Sequence, residues 1–157
     1  MAAVFAIFSA DASACHPEAY DSASLPPFQR PVPGEIVKKN GLQFYAVLNL
    51  KRHYLGLAFS IEKGEALVAA AGGEVVSTSN EGQFGNSILI GHLDGWETFY
   101  AHLSRLAVGP GDCIKRGDVI GYAGSSGFTE GDTLYFETRH NGTPLDPLRL
   151  LMTKAAR

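Results

Sequence analysis

Five histidines (His16, His53, His92, His102, His140) and two cysteines (Cys15, Cys113) are the residues here best suited to bind a metal or carry a proton. Their spacing argues against a ready-made site. No H-x-H, H-x-x-x-H or paired-cysteine pattern brings two of them together as zinc ligation usually requires. There is no G-x-S-x-G elbow, P-loop or dinucleotide fingerprint. The Gly-rich "GYAGSSG" follows a strand pattern without opening a helix, so it is not a phosphate cradle. The remaining stretch of interest is "TLYFETR" (133–139), an alternating strand pattern that contains a tyrosine, Tyr135, and a carboxylate, Glu137. Glu137 and Arg139 read as a solvated or paired strand edge, and Lys51-Arg52 as a surface pair.

The elements that must position these residues are short strands between turn signals. The candidates span 42–50, 55–61, 66–70, 73–79, 86–92, 97–103, 118–124 and 133–139. The breaks "EKGE", "AGGE", "EGQFGN", "LDGW", "GPGD", "KRGD" and "RHNGT" supply the residues that turns need. Asn141-Gly142 is the strongest hairpin signal. One helix is expected, "DPLRLLMTKAA", with Asp146 as its N-cap and Pro147 in its first turn. Regular short strands predict an all-β fold, mainly antiparallel and sandwich- or barrel-like, with a short C-terminal helix.

A chain of 157 residues holds one domain with a real core. The net charge of −3 and the lack of a basic stripe exclude nucleic acid as a partner. "MAAVFAIF" followed by "SADASAC" reads, over residues 1–14, as the remnant of a secretory signal. It is too short to span a bilayer. Residues 15–33 are Pro- and Ser-rich and read as a linker, and 34–157 as the domain. Cys15 is open to three fates: a lipid, which would bring a membrane into play, a disulfide to Cys113, or no chemical role.

From about Phe28 onward the chain resembles the LytM-type, lysostaphin-like zinc metallopeptidases that cut peptidoglycan cross-bridges. The resemblance is carried, in order, by "PFQRPVPGEI", "GEALVAAAGGEVV", "FGNSILIGH", "TFYAHLS", "VGPGDCIKRGDVIGYAGSSG" and "LYFETRHNGTPLDPLRLL". The family's H-x-G-x-D motif, anchored on Gly56, becomes "YLGLA", with Tyr54 for the histidine and Ala58 for the aspartate. His53 is one residue too early to substitute, because a one-residue slip turns a strand side chain to the other face. The family's H-L-H-F-E becomes "TLYFE": Thr133 stands for an outer catalytic histidine and Tyr135 for the third metal ligand. Only His102 keeps a catalytic residue type.

With two phenols and a methyl in place of the three ligands, the resemblance implies no metal, no cofactor and no peptidase activity. It points to degenerate LytM domains of the EnvC-like class, which bind and activate N-acetylmuramoyl-L-alanine amidases during daughter-cell separation. The expectation is an exported, periplasmic or cell-envelope regulator. Its partner-contacting groove would be formed by Tyr54, Ala58, His102, Thr133 and Tyr135. Within it, His102 is either a hydrogen-bond donor or a structural histidine held by packing, and Tyr54 and Tyr135 are either recognition groups or plugs of the space left by the metal. The alternatives are a peptidoglycan-binding module without activity and a residual cell-wall hydrolase. His92 is expected to be structural.

Overall fold

The computed structural model describes Cys15 and residues 28–45, 49–129 and 131–152. In chain order the strands are β1 (Ile36–Lys38), β2 (Gly41–Tyr45), β3 (Leu50–Tyr54), β4 (Leu57–Ser60), β5 (Ala66–Val68), β6 (Gly73–Ser79) and β7 (Asn86–Gly91). They continue with β8 (Trp96–Leu106), β9 (Cys113–Ile114), β10 (Val119–Ala123), β11 (Thr133–His140) and β12 (Thr143–Leu145), followed by helix α1 (Pro147–Met152). One antiparallel sheet runs β1-β4-β11-β8-β7-β6-β9, with β10 joining β5 to β8 and β12 pairing with β11. Strands β2 and β3 form a separate two-stranded ribbon. The fold is thus mainly antiparallel β with one short C-terminal helix, as expected.

Alternation divides the central strands into two faces. Leu57 and Phe59 of β4, Tyr100 of β8, and Leu134 and Phe136 of β11 are fully buried in the core. Phe136 lies opposite Leu57 and Leu134 opposite Phe59, so the core layer is built from cross-strand apolar pairs. The intervening residues, Ala58 and Tyr135, therefore face the other side. Tyr100 also carries a polar duty in the core. Its hydroxyl accepts the Ala70 amide at 2.9 Å and lies 3.0 Å from Thr98 Oγ1. His92 joins this network through Nε2, 2.8 Å from Thr98 Oγ1, and donates Nδ1–H to the Gly72 carbonyl at 2.6 Å. It is a buried structural histidine.

Two expectations about the chain layout change. The strand expected over 42–50 is broken: residues 42–45 belong to β2 and Leu50 opens β3, its antiparallel partner. The run offers no Gly or Pro to break it, and the turn is made with Asn49, at φ 46°. The linker expected over 15–33 has become packed chain by Phe28. Phe28 and Val32 are buried, Phe28 meets Trp96 edge-on at 5.8 Å, and the Gln29 amide donates to Ala70 O. Residues 1–14 and 16–27, which carry the signal-remnant reading and most of the linker, lie outside the described residues. Cys15 is bonded to Cys113 of β9. Its sulfur is therefore engaged and not free to carry a lipid.

Two turn expectations are met. Asn141 and Gly142, both at positive φ, close the β11–β12 hairpin. Asp146 caps α1 by accepting the Leu148 amide at 3.0 Å.

Candidate functional site

The groove is laid on the face of β4, β11 and β8 turned away from the core. Tyr135 is the Cα partner of Ala58 on one side and of Ala101 on the other. Tyr54, at the end of β3, meets the Tyr135 ring edge-on at 5.3 Å. The close approach of this ring depends on Gly56. A Cβ there would sit 2.3 Å from the Phe136 carbonyl oxygen and 2.9 Å from the Tyr135 ring. Phe84 stacks on Tyr135 at 5.4 Å, and Phe99 flanks both rings.

His102 reaches this face by a backbone device. Simple alternation along β8 would send it into the core beside Tyr100. Instead, β8 carries one extra residue between the pairs Ile88↔Tyr100 and Asn86↔Leu103, and His102 takes φ 66°. This bulge keeps Leu103 in the core and sets the imidazole 6.3 Å from the Tyr135 ring. Its Nδ1–H donates to the Ser126 carbonyl at 2.8 Å, and burial pushes its pKa down. The ring is neutral, and Nε2 is left as an acceptor. Of the two roles expected for His102, this contact fits the structural one, since its proton is given to Ser126.

Thr133 lies two residues before Tyr135 on the same strand face, and its hydroxyl is 2.7 Å from the Thr129 hydroxyl. The structure thus gathers Tyr54, Ala58, His102 and Tyr135 around one aromatic cluster, with Thr133 further along the same face. The sequence reading missed Phe84 and Phe99. Of its two alternatives for Glu137 and Arg139, a solvated or a paired edge, the pairing holds, but Glu137 is 1% exposed and not at a solvated edge. It accepts the Tyr135 hydroxyl at 2.6 Å and the Arg139 Nε–H, while the Arg139 guanidinium lies over Phe99. The spacing of Tyr135, Glu137 and Arg139 at every second residue was the available signal.

The donors at the ligand positions do not suit zinc. A phenol binds metal as phenolate, yet burial first, and then the hydrogen bond and charge of Glu137, raise the Tyr135 pKa far above its ordinary value. Ala58 offers no donor. Among the described residues no three His, Cys, Asp or Glu side chains are grouped to hold a metal.

The same phenols give a pH prediction. Burial pushes Tyr100 up to about 12 and Tyr135 higher still. An unfolded tyrosine ionises near about 10, so below that pH their contribution to stability is fully present. Above it, the unfolded chain gives up protons that the folded chain keeps. Stability then falls by about 1.4 kcal/mol per pH unit for each phenol. Urea unfolding at pH 9, 10.5 and 11.5 should show this loss, and a flat profile would contradict the burial of both hydroxyls.

A groove on an antiparallel sheet, with its scaffold motifs in register, defines a LytM-type domain. The chain belongs to peptidase family M23, whose model matches residues 52–147. It is 33% identical to the DD-carboxypeptidase/endopeptidase Mpg of Neisseria meningitidis, over 71% of this chain and 26% of that protein. It is 32% identical to the cell division protein DipM of Caulobacter vibrioides (79% and 21%). With the murein hydrolase activator NlpD of Salmonella typhimurium it shares 38% (61% and 26%). A zinc-containing peptidase from Vibrio cholerae superposes with a TM-score of 0.76 at 26% identity, over 87% of this chain and 44% of that one. The chain spans about a quarter of the length of the curated relatives it matches. Among the described residues no helix is long and apolar enough to cross a membrane.

Proposed function

We propose that this chain is a non-catalytic cell-wall regulator of the LytM fold that binds and activates an N-acetylmuramoyl-L-alanine amidase in the cell envelope. One observation carries the reading. The position of the third metal ligand holds a phenol whose proton is donated to a buried carboxylate, Glu137. Such a site lacks the ligands that would lower the pKa of a bound water. Among the described residues the neutral imidazole of His102 contacts the Ser126 carbonyl and no nucleophile that it could activate.

The relatives support the cell-wall setting from two sides, since one is named an endopeptidase and another a murein hydrolase activator. The residues at the ligand positions favour the activator. The groove of Tyr54, Ala58, His102, Thr133 and Tyr135, floored by aromatic rings, is the proposed contact region, because aromatic side chains are favoured anchors at interfaces. Activation then requires only that this surface bind the partner's open state more tightly than its closed one.

The test is release of dye from labelled sacculi by the full chain, alone and with each amidase of the source genome. Release above the amidase's own rate, and only with an amidase present, is the expected result. Sedimentation with bare sacculi without any stimulation would replace the reading with a wall-binding module. Chelator-sensitive release by the chain alone would overturn the loss of catalysis.

A further inference from the structure

The β2–β3 ribbon has a composition unlike the rest of the molecule. Between residues 36 and 61 the chain carries Lys38, Lys39, Lys51 and Arg52 and no Asp or Glu, within a protein of net charge −3. Cross-strand pairing puts Leu42 opposite His53 and Phe44 opposite Lys51, so these four side chains share one face. That face points to solvent: Leu42 is 66% and Phe44 60% exposed, and Lys51 and His53 are exposed as well. The opposite face carries exposed Arg52 beside half-buried Gln43, and only its Tyr54 end meets the body of the domain, at Tyr135.

The ribbon also has an open edge. Among the described residues strand β3 pairs only with β2, and Leu50 to His53 are exposed along its length. A two-stranded hairpin is marginal alone, and a strand edge is a template for another chain. Lysine and arginine on such an edge deter self-pairing and favour a segment of opposite charge.

We infer that the β3 edge and the Leu42/Phe44 face form a second docking surface, which takes an extended acidic segment of the partner protein as an added strand. Its carboxylates meet Lys51 and Arg52, while its apolar side chains cover Leu42 and Phe44. A polypeptide fits where a lipid headgroup does not, because the edge offers unpaired backbone donors and acceptors as well as charge. This inference rests on the proposed amidase partnership and adds a site outside the groove.

The experiment compares the full chain with Lys51→Glu/Arg52→Glu and Leu42→Ser/Phe44→Ser variants, all of whose altered side chains are solvent-exposed. Affinity for each purified amidase is measured at low and high salt, with amide hydrogen exchange of the complex. Each variant should bind about tenfold more weakly, the charge variant should lose most of the salt dependence, and residues 50–54 should be protected in the wild-type complex. Wild-type activation with both variants unchanged would overturn the ribbon site and leave the groove reading intact. No binding of any amidase by the wild type would overturn both. Capture of the wild type by phosphatidylglycerol vesicles, lost in the charge variant while amidase binding is unchanged, would replace the partner strand with a membrane.

Discussion

A chain carrying Tyr54→His, Ala58→Asp, Thr133→His and Tyr135→His is expected to bind zinc near-stoichiometrically, and the native chain is expected to bind none. The positions already converge. Residue 135 lies directly opposite residue 58 across the β4–β11 ladder, and the rings at 54 and 135 are in contact. Two imidazoles and a carboxylate on that frame supply the three ligands that a catalytic-type zinc site needs. Added zinc at a thousandfold over its dissociation constant should then stabilise the variant by about 4 kcal/mol, visible as a rise in melting temperature. Metal analysis of the purified variant decides the matter. A folded variant without zinc would mean that Tyr54, Ala58 and Tyr135 are not the ligand positions.

The second large effect concerns the disulfide. Cys15 and Cys113 are 98 residues apart, so their bond closes most of the described domain into one loop. A cross-link of that span removes enough freedom from the unfolded chain to stabilise the fold by about 4–5 kcal/mol in the chain-entropy account. Reduction, or Cys15→Ser, should lower the melting temperature by roughly 10–15 °C for a protein of this size. Calorimetry with and without a phosphine reductant measures it. An unchanged midpoint after both thiols are shown to be free would refute the cross-link's contribution.

Much of this architecture was legible in the residues because local chemistry and tertiary context agreed. Strand β6 covers the residues expected, and β11 is one residue longer than its alternating pattern, ending at the Asn141-Gly142 turn. The groove residues Tyr54, Ala58 and Tyr135 met because the scaffold motifs set their register. What stayed hidden was decided by contacts at a distance or by the backbone. Phe28 sits in a Pro-rich stretch whose composition says linker, yet it is buried against Trp96, far along the chain. His102 shares the period of the core residue Tyr100, and only a bulge at φ 66° turns it outward. The pairing of Glu137 with Arg139 was one of two readings offered, but its burial and its Tyr135 partner are defined by the strand face they share, which composition does not report.

The hydrogen bond from Tyr135 to Glu137 also bears on how this domain can change over generations. Tyr135→His alone removes the hydroxyl that satisfies a carboxylate 1% exposed, and gains no metal in return. Ala58→Asp alone places a second carboxylate at a position 5% exposed, where the directly opposite residue, Lys38, is the cation that could meet it. The step at residue 135 is thus destabilising by itself, and any benefit from metal comes only when the full set of ligands is present. That residue is therefore a barrier to acquiring the ligand set one substitution at a time, and it favours keeping the groove for recognition.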